Sequence, residues 1–198
     1  MQLLFDLEPP ILPQVRQRLV ELFGPQRRTK RLDPLSQMIK SIICARTYDA
    51  TAWAVFLELR KAFPDWNVIG DTAPAEIEKV IAPVTHADQK ARQLPVLIRV
   101  LRTRPHGLDL SFLADHTVDD AMAWLMELPG VGPKTAADTL NFSALGMPAF
   151  VVYTHVHRVL RRLGLVSRRS EVRDAYEHMM SAIPRPGQPT TSSSSTGC

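Results

Sequence analysis

The turn between two helical segments of this chain reads Leu128-Pro129-Gly130-Val131-Gly132-Pro133-Lys134-Thr135-Ala136. Glycine at alternate positions predicts a tight turn, and proline after the second glycine suits the first turn of a helix, where its missing N–H costs nothing. Before the turn, Thr117 and Asp120 have the spacing of a helix-capping pair. The sequence therefore predicts a helix, a hairpin turn and a second helix over residues 117–145.

This helix-hairpin-helix pattern suggests a use for its glycines. Without side chains in the turn, backbone N–H groups there and at the helix start can approach a phosphate oxygen closely. Such a contact binds the backbone of DNA and does not read its sequence. The residues predicted to contact DNA at the hairpin are Leu128, Gly130, Val131, Gly132 and Thr135. The alternative interpretation is that Gly-Val-Gly forms a tight turn and nothing more.

Lys134 occupies the first turn of the second predicted helix. The positive end of the helix macrodipole makes a lysine unfavourable there by some tenths of a kcal/mol, so helix stability does not explain the residue. The same field disfavours the charged ammonium, and an uncharged amine is a nucleophile. Lys134 is therefore a candidate catalytic residue. The alternative is a solvated lysine that contacts phosphate as a point charge.

The remaining chain has apolar spacing of the helical type and lacks strand-like alternation, so we expect an all-α fold. Asp33 and Pro34 predict the start of a buried helix that runs to about Ala45. Further helices are predicted at about 50–63, 74–80, 88–103, 117–128, 133–145, 153–163 and 170–183. Trp53, Trp66 and Trp124 have apolar neighbours at helical spacing and are predicted to lie in the core.

Composition sets broad limits on function. The 198 residues are 45% hydrophobic and 22% charged, which suits a globular protein with a real core. A net charge of +4 and a pI near 9.3 favour an anionic partner. No apolar run is long enough to cross a bilayer, and the first residues do not resemble a signal peptide. We therefore expect a monomer in the cytoplasm, without membrane association, and at the nucleoid if the source is bacterial.

Three strings together resemble the endonuclease III family of helix-hairpin-helix DNA glycosylases, the HhH-GPD superfamily. They are the hairpin string, Cys44-Ala45-Arg46-Thr47-Tyr48-Asp49, and Val151-Val152-Tyr153-Thr154-His155-Val156-His157-Arg158-Val159. The resemblance covers roughly residues 33–183. It implies the glycosylase fold, a multi-helix bundle with a companion domain that is truncated here.

The resemblance also implies a function, base-excision repair of duplex DNA that holds a damaged, mismatched or abasic nucleotide. In bifunctional family members the hairpin lysine forms a Schiff base and cleaves the strand by β-elimination, and Lys134 matches that position. Family members turn the damaged nucleotide out of the duplex and fill the gap with side chains. One of these comes from the segment that matches Arg46, which is therefore a predicted DNA-binding residue.

One departure from the family affects catalysis. The third string of the family contains an aspartate that helps to activate the nucleophile, and Tyr153 stands in its place. A neutral phenol supplies no compensating charge, so we expect base excision to be weakened or lost. The alternative is that the carboxylate of Asp138, four residues after Lys134 and on the same helix face, partly replaces the lost charge.

A second departure concerns the cofactor. Most family members continue into four cysteines that hold a [4Fe–4S] cluster, whereas this chain has two cysteines, Cys44 and Cys198, which we expect to be free thiols. The cluster is therefore predicted to be absent, and no other cofactor is expected. We divide the chain into residues 1–32, packing on the companion helices; 33–166, the helical domain; 167–183, a C-terminal helix; and 184–198, a disordered tail.

A basic stretch follows the third string, and its predicted DNA-binding residues are His155, Arg158, Arg161 and Arg162. Solvated surface is the alternative for these arginines, but a hairpin that binds phosphate favours DNA contact. His155 and His157 lie two apart on a helix and point to different sides, so no catalytic metal is expected.

Three functions remain open on the sequence. The first is a DNA glycosylase with AP-lyase activity through Lys134. The second is a module that binds lesions or abasic sites without excising a base, which Tyr153 and the missing cysteines favour. The third, a helical interaction domain with no role on DNA, requires coincidence in all three strings.

Overall fold

The computed structural model describes residues 11–25 and 31–182. The predicted tail at 184–198 lies outside the described residues, as do the first ten residues of the N-terminal segment. The chain divides into two compact units, Met1–Arg31 and Leu32–Cys198. The packing of residues 1–32 on the companion helices stays a prediction.

The described residues form helices and turns without a strand, which confirms the all-α prediction. The helices are α1 (Ile11–Phe23), α2 (Pro34–Cys44), α3 (Asp49–Ala62), α4 (Pro74–Ile81), α5 (Ala87–Arg102), α6 (Val118–Met126), α7 (Pro133–Phe142), α8 (Thr154–Arg162) and α9 (Val172–Ala182). Within this part of the chain, no helix combines the length and apolar character needed to cross a membrane.

Capping residues begin two helices as predicted. The carboxylate of Asp33 accepts a hydrogen bond from the Ser36 N–H at 2.8 Å, and Pro34 fills the first position of α2. The Thr117 hydroxyl accepts from the Asp120 N–H at 3.1 Å and donates to the Asp120 carboxylate at 2.7 Å. Each cap satisfies an N–H group that the helix leaves without a partner, and so fixes where the helix starts.

Helix α2 runs through the centre of the second unit. It packs against α3, α5 and α7, and nine of its eleven residues are buried. Among these buried residues are three polar ones, Ser36, Gln37 and Ser41, of which the last two belong to the site described below. The contact of α2 with α7 therefore brings polar groups of the central helix to the helix that carries Lys134.

The structure differs from the sequence predictions in four respects, and the first is α1, since no helix was predicted in that segment. Two short 3₁₀ helices, Trp66–Asp71 and Ser111–Asp115, were not predicted, because one or two turns show no periodic apolar pattern. The second hairpin helix ends at Phe142, where 145 was predicted, since Met147 N–H returns to the Leu140 carbonyl. The prediction of a core position is wrong for Trp53, which is 44% exposed beside Lys40.

Candidate active site and DNA-binding hairpin

The two glycines of the hairpin turn have different surroundings. Gly130 has φ of +75°, and its carbonyl accepts a hydrogen bond from the Gln93 side chain of α5 at 3.0 Å. A Cβ added to Gly132, the residue before α7, would have no atom within 4 Å. The start of α7 is therefore unobstructed on the side where Gly132 lies.

The apolar hairpin residues face the other way. Leu128 and Val131 are buried in the hydrophobic core, and Thr135 is also buried. Their side chains anchor the turn to the protein, so any DNA contact from these positions is made by the backbone. Whether the predicted hairpin residues touch DNA stays a prediction.

The amine of Lys134 is held between α2 and the start of α8. Its Nζ donates to the Ser41 hydroxyl at 3.3 Å and lies 4.7 Å from the centroid of the Tyr153 ring. Because α2 and α7 pack together, a buried hydroxyl and an aromatic face orient a partly buried amine. The structure thus brings together two of the predicted catalytic residues.

The third predicted catalytic residue, Asp138, is the partner of Tyr153. The Tyr153 hydroxyl donates to Oδ1 of Asp138 at 2.7 Å, and the Gln37 amide donates to Oδ2 at 3.4 Å. Asp138 is only 3% exposed, so it is a buried carboxylate. The site therefore contains a carboxylate, reached from Lys134 through the tyrosine.

Burial and the neighbouring Asp138 both raise the pKa of Tyr153 above its ordinary value, with burial the larger cause. The phenol therefore stays a neutral donor at physiological pH, as the sequence suggested. Tyr153 is also the N-cap of α8, and its side chain makes no capping hydrogen bond to that helix.

Arg46 lies in the turn that follows α2. Its side chain is exposed, and its backbone is left-handed with φ of 59°. Just before it, Cys44 is a free thiol whose pKa is raised by burial, an effect that Lys40 and Lys134 oppose. A raised pKa keeps the thiol protonated, so Cys44 is a poor candidate for a nucleophile or a metal ligand.

The predicted basic surface lies on α8. His155, Arg158, Arg161 and Arg162 are all exposed, and Arg158 donates to Nδ1 of His155 at 3.0 Å. His157 turns instead toward Ser170, with 3.3 Å between Nε2 and the hydroxyl. The two histidines therefore diverge, as their spacing predicted.

The residues present do not fit the iron–sulfur cluster of the family. A [4Fe–4S] cluster takes four cysteine thiolates, and this sequence has two cysteines. Among the described residues, no group of three or more histidine, cysteine or acidic side chains could hold a metal ion.

Sequence analysis missed two residues of the site, Gln37 and Ser41, and a buried lysine outside it, Lys90. Gln37 and Ser41 lie four apart in a helix that is otherwise largely apolar, which is a recognisable pattern. Lys90 is buried against the end of α2, with its Nζ 2.7 Å from the carbonyl oxygens of Ile43 and Ala45. Lys90 lies on the helix face that carries Leu94, Leu97 and Leu101, and this spacing is a signal that could have marked it as buried.

Comparison with known proteins shows similarity to endonuclease III proteins. Endonuclease III of Thermotoga maritima is 28% identical over 160 residues, which are 81% of this chain and 70% of that protein. A trapped covalent intermediate of endonuclease III with DNA superposes with a TM-score of 0.72 and 27% identity, covering 87% of this chain and 78% of that one. A non-covalent endonuclease III–DNA complex shares the fold with a TM-score of 0.74 at 24% identity, over 90% of this chain and 79% of that one.

The family model for HhH-GPD superfamily base excision DNA repair proteins matches residues 39–185. This range contains α2 from Ile39 onward, the hairpin with Lys134, and the start of α8 with Tyr153. The match confirms the family that the three strings suggested: this chain belongs to the HhH-GPD superfamily of base excision DNA repair proteins.

Proposed function

We propose that this chain is a DNA N-glycosylase and AP lyase of the endonuclease III type, with base excision weakened by Tyr153. The observation that carries the proposal is the placement of the Lys134 amine against Ser41 and Tyr153, beside a buried carboxylate and at the start of the helix that follows the open hairpin. Relatives named endonuclease III, two of them solved with DNA, support the same assignment and support DNA binding.

Lys134 supplies the covalent step. At an abasic site, the uncharged amine adds to the C1′ aldehyde, and loss of water gives a Schiff base. Loss of a C2′ proton then expels the 3′ phosphate by β-elimination, and hydrolysis returns the free lysine. At a nucleotide that still has its base, the amine bonds to C1′ while the base leaves with the bonding electrons and takes up a proton.

The surroundings of Lys134 favour the lyase reaction over excision. Excision develops positive charge on the sugar, and a carboxylate near that charge lowers the barrier. In this chain the residue at the family's aspartate position is a neutral phenol, and the carboxylate of Asp138 lies behind it. Opening an abasic site needs no base to leave, so we expect it to survive.

The contact with duplex DNA is made by the hairpin, by Arg46 and by the arginines of α8. The unobstructed side of Gly132 and the N–H groups at the start of α7 suit a phosphate oxygen, and exposed arginines neutralise further phosphates. Arg46, on its exposed left-handed turn, is proposed to fill the space left by the displaced nucleotide. We propose a damaged, mismatched or abasic nucleotide as the target.

The second candidate, a module that binds lesions without excising a base, rests on Tyr153 and on the missing cysteines. The relatives do not favour it, because they are named as enzymes. The third candidate, a helical interaction domain with no role on DNA, is set aside by membership of a DNA repair family.

Borohydride trapping tests the enzyme assignment. Incubated with duplex DNA that contains an abasic site and sodium borohydride, the protein should form a covalent adduct, because reduction fixes the Schiff base. Lys134→Ala should form none, whereas Lys79→Ala, which removes an exposed lysine on α4, should trap like the parent. Binding without an adduct in the parent would replace the enzyme by the binding module.

A second experiment tests the role given to the two carboxylate positions. Tyr153→Asp alone places a second acidic group beside the buried carboxylate of Asp138, which is unfavourable. In the Asp138→Asn background, the same change should raise excision more than about tenfold on a panel of oxidised, deaminated and mismatched bases. No gain on any base would contradict the view that Tyr153 limits excision.

We also propose that the protein is a cytoplasmic monomer without an iron–sulfur cluster. Purified protein should be colourless, and light scattering should give a mass near 22.2 kDa. Stoichiometric iron and sulfide, or a stable dimer, would contradict these expectations.

A further inference from the structure

Lys90 is a buried cation with an unusual set of partners. The residue lies on α5 and is 6% exposed. Its ammonium donates to the carbonyl oxygens of Ile43 and Ala45, both at 2.7 Å, and to the Thr47 hydroxyl at 3.5 Å. An ammonium has three N–H donors, so these partners account for all of them without a carboxylate.

The partners of Lys90 belong to the end of α2. The last carbonyls of a helix have no partner within the helix and carry its negative partial charge, so a cation there is favourable. Burial nevertheless lowers the pKa of Lys90 to about 8; Lys134 acts in the same direction, and Cys44 opposes it. A glycine after the helix would satisfy such carbonyls without a buried charge, so helix stability does not explain Lys90.

A second link extends this contact to another loop. The Thr47 hydroxyl that faces Lys90 also accepts from the Thr85 N–H at 3.1 Å. Arg46 and His86, which neighbour these two threonines, are the described non-glycine residues with a left-handed backbone, at φ of 59° and 57°. Such a backbone costs about 1–3 kcal/mol and persists where the surrounding structure imposes it.

We propose that Lys90 is a positioning residue that holds the turn from Ala45 to Thr47 in the left-handed form presenting Arg46 to the duplex. The Lys90 ammonium binds the carbonyls on both sides of the Cys44–Ala45 peptide bond. The Thr47 hydroxyl is held by the same ammonium and by the Thr85 N–H of the next loop. The exposed Arg46 side chain is left free to enter the duplex. This inference rests on the proposed function, since it gives Arg46 a role in turning out the nucleotide.

Lys90→Met tests the proposal, because methionine keeps the length and burial of the side chain and removes the three donors. The probe is a duplex with an abasic site opposite 2-aminopurine, whose fluorescence rises when the base unstacks. We expect Lys90→Met to lower the fluorescence rise and the rate of strand cleavage by about tenfold, as a small displacement of a positioned group does. Thermal unfolding establishes that the variant is folded.

The double variant with Arg46→Ala separates positioning from a purely structural role. If Lys90 acts through Arg46, then Lys90→Met should change the signal by less than about twofold once Arg46 is absent. Effects that multiply in the double variant, or a Lys90→Met protein with full fluorescence and cleavage, would overturn the proposal. Thr47→Val, which keeps the shape and removes the hydroxyl, should show the same dependence on Arg46 and serves if Lys90→Met does not fold.

Single-stranded DNA with an abasic site separates the role of Lys90 from the proposed enzyme activity, since no nucleotide must be turned out of a duplex. Borohydride trapping on this substrate should be equal in the parent and in Lys90→Met. Loss of trapping in Lys90→Met alone would assign Lys90 to the chemistry of Lys134 and overturn positioning. A parent that does not trap contradicts the proposed enzyme, while the fluorescence experiment still decides the role of Lys90.

Discussion

Replacing each hairpin glycine by alanine should separate stability from DNA binding. Gly130 is left-handed, and a Cβ there would lie 1.7 Å from Nε2 of Gln93. Gly132 has φ of −96° and ψ of 178°, which any residue adopts, and its Cβ would meet no atom within 4 Å. Gly130→Ala should therefore destabilise the fold, whereas Gly132→Ala should not.

Two effects set the size of the change at Gly130. A left-handed backbone costs alanine about 1–2 kcal/mol. The Gln93 side chain must also move away, which breaks its 3.0 Å hydrogen bond to the Gly130 carbonyl and costs about 1 kcal/mol. The free energy of unfolding should fall by about 2–3 kcal/mol, and Tm by about 5–10 °C for a chain of this size.

Gly132→Ala should have the opposite pattern. Its free energy of unfolding should stay equal or rise by up to about 1 kcal/mol, because alanine restricts the unfolded chain. The added methyl group lies on the open side of the α7 start, where the phosphate is proposed to bind. If the methyl group prevents one hydrogen bond from a backbone N–H to the phosphate, the loss is about 1 kcal/mol. Binding to an abasic-site duplex should then weaken about fivefold.

The free energy of unfolding is measured by urea titration with circular dichroism as the signal. The affinity for DNA is measured by fluorescence anisotropy with a labelled duplex. In a Gln93→Ala background the clash is gone, and only the backbone strain remains. Gly130→Ala should then lower the free energy of unfolding by about 1–2 kcal/mol. Equal stability of Gly130→Ala and the parent would refute the reasoning about the turn. Unchanged binding by Gly132→Ala would remove the start of α7 from the DNA interface.

Three further predictions concern charge. Tyr153→Phe leaves Asp138 buried without its 2.7 Å donor, so the free energy of unfolding should fall by about 2 kcal/mol in urea titrations, and an unchanged value would contradict the bond. Because the folded pKa of Lys90 is about 8 against an ordinary 10.5, the unfolded chain binds more protons between these values. The stability of the parent relative to Lys90→Met should therefore rise by about 3 kcal/mol from pH 8 to 10.5, and a flat difference would mean an unperturbed lysine. Arg162→Ala should reduce the slope of the logarithm of the DNA-binding constant against log salt by about one. Arg173→Ala, on α9, should leave that slope unchanged. Equal slopes in the parent and both variants would place α8 away from DNA.

Local signals explain how much of the fold the sequence predicts. The starts of α2 and α6 follow from Asp33 and Thr117, whose side chains bond N–H groups three residues away. Apolar periodicity places the long helices to within a few residues. The 3₁₀ helices escape prediction because they are held by the tertiary structure around them, as where Trp66 donates to the buried Ser36 hydroxyl at 2.8 Å.

The candidate site is predictable only where its members are neighbours in sequence. Lys134 and Tyr153 each lie in a string with its own pattern, so both could be named. The contacts that define the site join residues far apart, 101 residues between Gln37 and Asp138 and 93 between Ser41 and Lys134. They depend on how α2 packs against α7, which no local pattern specifies.

Tyr153 also has a consequence for attempts to engineer this protein. It occupies the N-cap of α8, a position that serine, threonine, asparagine or aspartate stabilises by about 1 kcal/mol through a hydrogen bond that tyrosine does not make here. The hydrogen bond from Tyr153 to the buried Asp138 contributes about 2 kcal/mol, which is more than such a cap would add. A screen for thermostable variants should therefore retain Tyr153, and with it the aromatic ring beneath the Lys134 amine. Directed evolution for heat resistance would thus preserve this side of the active site.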